Sequence, residues 1–196
     1  MTTTHLLYLH GFRSSPQSAK AQRLQQHIAQ TRPHVVWSAP QLPPSPQEAA
    51  DLLLATTRSW AGLPPESLAI VGSSLGGFYA SWIAQQLRCK SVMLNPSTAP
   101  WLTLEQHLGE QTAWHNPDAS FFFRPEYLPQ LQALDVSGQP PAAAQLLIAA
   151  MGDEVLHWQD MVARYPSAQL LLDEGSDHAL SNFESYLPQI DAFLGW

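Results

Sequence analysis

The five residues Gly72-Ser73-Ser74-Leu75-Gly76 constrain this chain more than any other stretch. They follow a short apolar run, Leu68 to Val71, and precede a helix-like run from Phe78 to Ala84. A strand that enters a helix through Gly-x-Ser-x-Gly makes a sharp turn. The turn strains the backbone of the central residue and holds its side chain out at the carboxyl edge of a sheet. Only Ser74 fits the centre, because centring on Ser73 sets Val71 and Leu75 at the glycine positions. Gly72 and Gly76 carry no Cβ, so strand and helix are free to approach closely around the turn. Ser74 is therefore the candidate nucleophile. The plainer alternative is a glycine-rich turn that cradles a phosphate. It lacks the Gly-Lys-Ser/Thr and Gly-x-Gly-x-x-Gly patterns that such cradles use.

Strand-like runs recur at Leu6–Leu9, Val35–Ser38, Leu68–Val71, Ser91–Leu94, Gln145–Ala149 and Gln169–Leu172, with helical patterns between most of them. That alternation predicts a mostly parallel, six-stranded sheet with crossover helices on both faces. Helix starts are marked by Ser15-Pro16, ahead of apolar Leu24 and Ile28, and by the capping box Ser45-Pro46-Gln47-Glu48. A second capping pattern, Ser181 to Glu184, precedes Phe183, Tyr186, Leu187, Ile190, Phe193 and Leu194. Pro188 inside that last pattern predicts a kink or a restart. One stretch breaks the alternation. Residues 96–141 carry many prolines and the aromatics Trp101, Trp114, Phe121, Phe122, Phe123 and Tyr127. A loop that long is functional more often than not. It reads either as a cap over the site or as short elements filling a satellite core.

The 196 residues, 45% hydrophobic, suit a single domain spanning 1–196. The net charge is −7, the only lysines are Lys20 and Lys90, and no basic run exists, which argues against a nucleic-acid or anionic-membrane partner. Cys89 is the only cysteine, so no intrachain disulfide forms and a reducing compartment is compatible. The first residues read as a strand rather than a signal peptide, and no apolar stretch reaches the length of a membrane span. The expectation is a soluble, cytoplasmic protein.

A serine hydroxyl needs a base, a group that orients the base, and donors for the oxyanion. The order Ser, acid, His of strand-turn-helix hydrolases is present. Asp153 follows the strand Gln145–Ala149, and His178 follows the strand Gln169–Leu172. Both fall at carboxyl ends of strands, the edge where parallel sheets place their sites. Among eight histidines, His27, His34, His107, His115 and His157 read as surface or core-edge residues, and His5 has no evident role. His10, directly after the first strand, reads as shaping the loop whose Phe12 amide is one oxyanion donor; the Leu75 amide is the other. For the acid, Asp153 is preferred over Glu154, Asp173, Glu174 and Asp177. Asp177 adjoins His178 and reads as a turn cap, Asp173 and Glu174 as solvated, and Glu154 as the start of a helix whose N-terminus favours negative charge. No ligand spacing for a metal is visible, so no metal and no cofactor are expected.

The stretches Leu9 to Ala21, Gly72 to Ala80, Leu94-Asn95-Pro96, Gly152 to Leu156 and Glu174 to Ala179 resemble the YqiA-type esterases, small bacterial α/β-hydrolases, over nearly the whole chain. The resemblance implies a three-layer α/β-hydrolase fold whose sheet lacks the first two strands of larger hydrolases. It also implies carboxylic ester hydrolysis by Ser74, Asp153 and His178. Two positions depart from the family pattern. Ser176 stands where glycine is frequent, with mild strain expected if its φ is positive, and Leu180 stands where phenylalanine is frequent. The expected substrate is a small-molecule acyl ester or thioester. The alternatives are amide or carbon–carbon hydrolysis by the same groups, or a binding protein on the same scaffold.

Overall fold

The computed structural model describes residues 2–114 and 116–196; His115 lies outside the described residues. Six strands form one sheet in the order β2-β1-β3-β4-β7-β8, every pair parallel. They are β1 (His5–Leu9), β2 (Val36–Ser38), β3 (Leu68–Ser73), β4 (Lys90–Leu94), β7 (Gln145–Ala150) and β8 (Gln169–Asp173). All six coincide with the apolar runs read from sequence. The chain steps from β1 outward to β2, then returns to β3 on the other side of β1. This reversal opens a crevice beyond the carboxyl ends of β1 and β3, where ligands bind in open α/β sheets.

Successive side chains of a strand point to opposite faces, and the core divides on that parity. Leu6, Tyr8, Ala69, Val71, Val92 and Leu94 pack under α1 (Ala19–Thr31) and α7 (Leu187–Leu194). Leu7, Leu9 and Ile70 pack under α2 (Pro46–Thr57) and α3 (Leu75–Leu87), while Met93 and Leu147 meet α6 (Trp158–Arg164). Helices thus cover both faces of the sheet. Leu9 and Ile70 are fully buried, and truncating either to Ala is expected to cost about 2–5 kcal/mol.

Residues between β4 and β7 form α4 (Pro100–Thr103), the antiparallel hairpin β5 (Gly109–Ala113) and β6 (Asn116–Phe123), and α5 (Tyr127–Ala133). The pairing alternates the three phenylalanines. Phe123 is buried in the core with Leu104, Leu131 and Leu134, Phe121 is half-buried, and Phe122 is exposed.

Two helix expectations need correction, at Ser15 and Ser181, and two hold. Helix α1 starts at Ala19, not after Ser15, because the Ser15 hydroxyl accepts the Gln17 N–H in a turn that leaves Pro16 outside the helix. Ser181 does not open a capping box, since its hydroxyl donates to Asp177 Oδ2 at 2.6 Å. The final helix restarts around Pro188, as that proline predicts: a 3₁₀ turn, Phe183–Tyr186, gives way to α7 with Pro188 in its first turn. At Ser45 the cap forms, and its hydroxyl accepts the Glu48 N–H.

Candidate active site

Ser74 joins β3 to α3 with φ 55° and ψ −121°, a conformation that costs a non-glycine residue roughly 1–3 kcal/mol. Its neighbours hold it there. The Ser74 N–H donates to Leu94 O at 3.0 Å, and its carbonyl accepts from Gly77, Phe78 and Ser97. A Cβ on Gly72 would lie 2.0 Å from the Gly76 carbonyl oxygen, and one on Gly76 would lie 2.1 Å from the Leu9 carbonyl oxygen. Both glycines are therefore required where β1, β3 and α3 converge.

His178 reaches Ser74 from the loop after β8. Its Nε2 lies 3.2 Å from Ser74 Oγ, and its Nδ1 lies 2.7 Å from Asp153 Oδ2. The Asp153 side chain is fully buried, that of His178 about one-fifth exposed. Asp153 Oδ1 accepts the Val155 and Leu156 N–H groups at 2.8 and 2.7 Å. Those bonds fix the carboxylate, which accepts from Nδ1–H and leaves Nε2 free to accept from the serine hydroxyl.

Sequence reasoning missed the residues that carry this loop. Asn95, fully buried with φ 42°, donates to the carbonyls of Asp177 and His178 and accepts from Ala150 N–H. Glu154 does not open a helix, since α6 begins only at Trp158; its Oε2 accepts the His178 N–H at 3.0 Å. Lys20 donates to Ala179 O at 2.6 Å. Gly152 also matters, because a Cβ there would lie 2.5 Å from Ser176 O. Ser176 escapes the positive φ considered for it; Leu180 takes it instead, at 50°. The Asn-Pro pair after a strand signals a turn, but nothing local signals what the Asn95 amide meets.

The loop after β1 faces Ser74. A Cβ on Gly11 would lie 3.2 Å from the Ser74 Cβ. His10 is buried, and its Nε2 accepts the Leu42 N–H at 3.0 Å. Its Nδ1 therefore carries the proton and donates to Gly11 O at 2.9 Å. The Phe12 ring packs edge-on against Phe121 and Phe123. Two hollows flank the site. One, of about 270 Å³, is largely apolar and is lined by Phe12, Leu75, Tyr79, Phe121, Phe123 and Leu131. The other, of about 260 Å³, is lined by Ser74, His178, Tyr8, Ser18, Lys20 and Trp114.

The model of the "Uncharacterised protein family (UPF0227)" matches residues 5–195, essentially the whole chain. The chain belongs to the UPF0227 family. This is the family to which the YqiA-type motifs pointed. Among solved structures, Est1E from Butyrivibrio proteoclasticus with bound ferulic acid superposes with a TM-score of 0.77 at 14% identity, over 100% of this chain and 91% of that one. Mouse alpha/beta hydrolase domain-containing protein 10 gives 0.74 at 16% identity, over 100% and 91% of the two chains. A metagenome-derived lipolytic enzyme gives 0.74 at 20% identity, over 100% and 95%. These likenesses show the α/β-hydrolase fold.

In this UPF0227 chain the other acidic candidates have separate engagements. Asp177 caps its turn, accepting the Ser181 N–H at 2.9 Å. Asp173 is not merely solvated: it accepts from Gly175 N–H, Asn182 and the Tyr186 hydroxyl, and the last, with Asn182, holds its carboxyl below the usual range. His27 pairs with Asp191, His5 with Thr4, and His107 lies against the Phe12 ring. Among the described residues no group of three or more His, Cys, Asp or Glu is placed to hold a metal, and no helix is long and apolar enough to cross a membrane.

Proposed function

We propose that this protein is a serine esterase that hydrolyses carboxylic esters of small molecules through an acyl-enzyme. The observation that carries the reading is the continuous chain of contacts from Ser74 Oγ through the His178 ring to buried Asp153, built on a strained elbow at the sheet's crevice. Ser74 Oγ attacks the acyl carbon as its proton passes to His178 Nε2. Asp153 keeps the proton on Nδ1 and stabilises the imidazolium. The oxyanion is taken by the N–H groups of Leu75 and Phe12. The Leu75 N–H opens α3, so it belongs to the helix's first turn, which has no intrahelical acceptors and sits at the positive end of the dipole. The Phe12 N–H shares a planar peptide with the Gly11 carbonyl. His10 and Ser14 hold that oxygen at 2.9 and 3.2 Å, which orients the N–H on its far side.

Collapse of the tetrahedral intermediate breaks the bond to the leaving oxygen, which takes the proton from His178 Nε2. Water then gives a proton to the same nitrogen and attacks the acyl carbon; collapse breaks the bond to Ser74 Oγ, which takes that proton back as the acid leaves. Because the leaving oxygen must meet Nε2, the leaving group occupies the hollow lined by His178. The acyl chain lies in the apolar hollow beneath the 96–141 insertion, which we read as a cap on that side. The test is rapid mixing with a para-nitrophenyl butyrate substrate. A burst of nitrophenol matching the enzyme concentration is expected, and absence of any turnover across short acyl esters would refute the reading.

A further inference from the structure

The second hollow is lined by a charged residue that the mechanism above does not use. We propose that it is a subsite for a leaving alcohol that bears a carboxylate, held by Lys20. This rests on the esterase reading for the direction of the leaving group.

Tyr8, Ser18 and Lys20 line the hollow beside Ser74 and His178, but the Tyr8 and Ser18 hydroxyl oxygens are closed off from its open space, which leaves the Lys20 ammonium as the group that meets a ligand there. Lys20 spends one N–H on Ala179 O and retains two. Burial lowers its pKa to about 8, with Asp177 and Asp153 opposing the fall, so it stays largely charged at neutral pH. Neither of those carboxylates lines the hollow, and Asp177 is taken up by Ser181. An ammonium with two N–H groups to spare calls for an anionic ligand with lone pairs to accept them, and a carboxylate supplies both. At the rim, Trp114 is 71% exposed with the Arg13 guanidinium 4.0 Å over its ring, giving a flat wall for the alcohol's body and a second positive charge nearby.

The test compares para-acetoxybenzoate with its neutral methyl ester, each kcat/KM divided by the rate of hydroxide-catalysed hydrolysis. The wild-type protein is expected to favour the carboxylate by about tenfold or more, the scale of one charge-assisted hydrogen bond. Lys20→Met removes the preference, and Lys20→Arg retains most of it. Taking the ratio cancels any general loss from disturbing the Ala179 contact. Calorimetric binding of para-hydroxybenzoate to the wild-type and Lys20→Met proteins reads the same site without turnover. Hydrolysis with no preference, or a preference that survives Lys20→Met, overturns the subsite. Failure to cleave either ester while para-hydroxybenzoate binds in a Lys20-dependent way overturns the esterase reading and leaves the anion site standing.

Discussion

The side-chain amide of Asn95 donates to the backbone carbonyl of His178 at 3.2 Å, and to that of Asp177 at 2.9 Å. The same side chain accepts the Ala150 N–H at 2.8 Å, so one buried residue ties β4, β7 and the His178 loop together. Asn95→Ala leaves the Ala150 N–H unpaired and the loop unanchored. Stability is expected to fall by about 1–3 kcal/mol. A small displacement of His178 is expected to lower kcat by about 10²-fold with KM little changed. Steady-state kinetics alongside thermal unfolding check this; full activity in a destabilised variant would show that the loop holds without the amide.

Asp153→Asn is expected to be much more damaging than changes at nearby acids. The Val155 and Leu156 N–H groups hold one oxygen, which turns the new amide nitrogen toward His178 Nδ1. That favours the wrong imidazole tautomer, with a loss of roughly 10⁴ in kcat by analogy with serine proteases. Asp173→Asn and Asp177→Asn should be far milder, since those carboxylates bind Tyr186 and Ser181 instead. A mild Asp153→Asn with a severe Asp177→Asn would relocate the acid.

The three phenylalanines of β6 should separate in their effects. Phe121 lines the apolar hollow while half-buried, Phe122 is 59% exposed, and Phe123 is 1% exposed. Phe121→Ala is expected to shift acyl-length preference, Phe122→Ala to change little, and Phe123→Ala to destabilise by about 3–5 kcal/mol. Measuring kcat/KM over short and long esters with thermal melts distinguishes them; equal effects at all three sites would contradict the alternation.

Acid should weaken one ion pair in a predictable direction. Burial pulls the Asp135 carboxyl upward, but hydrogen bonds from Ser137 and Arg164 outweigh it and hold the group below its usual range. Arg164 Nη2 lies 2.5 Å from Asp135 Oδ1, and the arginine side chain is only 9% exposed. A carboxyl depressed in the folded state contributes stability that is fully present above its unfolded pKa and is lost as pH falls through the folded one. Asp135→Asn should therefore cost about 1–3 kcal/mol at neutral pH, and the gap in Tm from wild type should close on acidification. A gap independent of pH would contradict the assignment.

Much of this arrangement was legible because its causes are local. The apolar runs at Leu68–Val71 and Ser91–Leu94 bury on both faces and so read as strands without context. The elbow reads from Gly72 and Gly76, whose missing Cβ atoms the close approach demands. Asp153 and His178 stand out in the sequence because each follows a strand and parallel strands end at one edge, and the structure brings both side chains toward Ser74. The start of α1 was misread because Ser15 uses its hydroxyl in a turn rather than a cap. The hairpin of β5 and β6 was not anticipated, since Gly109–Ala113 carries no large apolar side chain and three consecutive phenylalanines mask a period of two. Asn95, Glu154 and Lys20 gave no signal because their partners lie about 25 to 160 residues away in the chain and meet them only through tertiary structure.

The central claim is that Ser74 is a nucleophile activated by His178. The most direct measurement is intact-protein mass spectrometry after treatment with a fluorophosphonate, followed by peptide mapping. A single phosphonyl adduct on Ser74 is predicted, absent in Ser74→Ala, retained in Ser73→Ala, and formed much more slowly in His178→Ala. An unlabelled wild-type protein, or a label that persists in Ser74→Ala, would contradict the account.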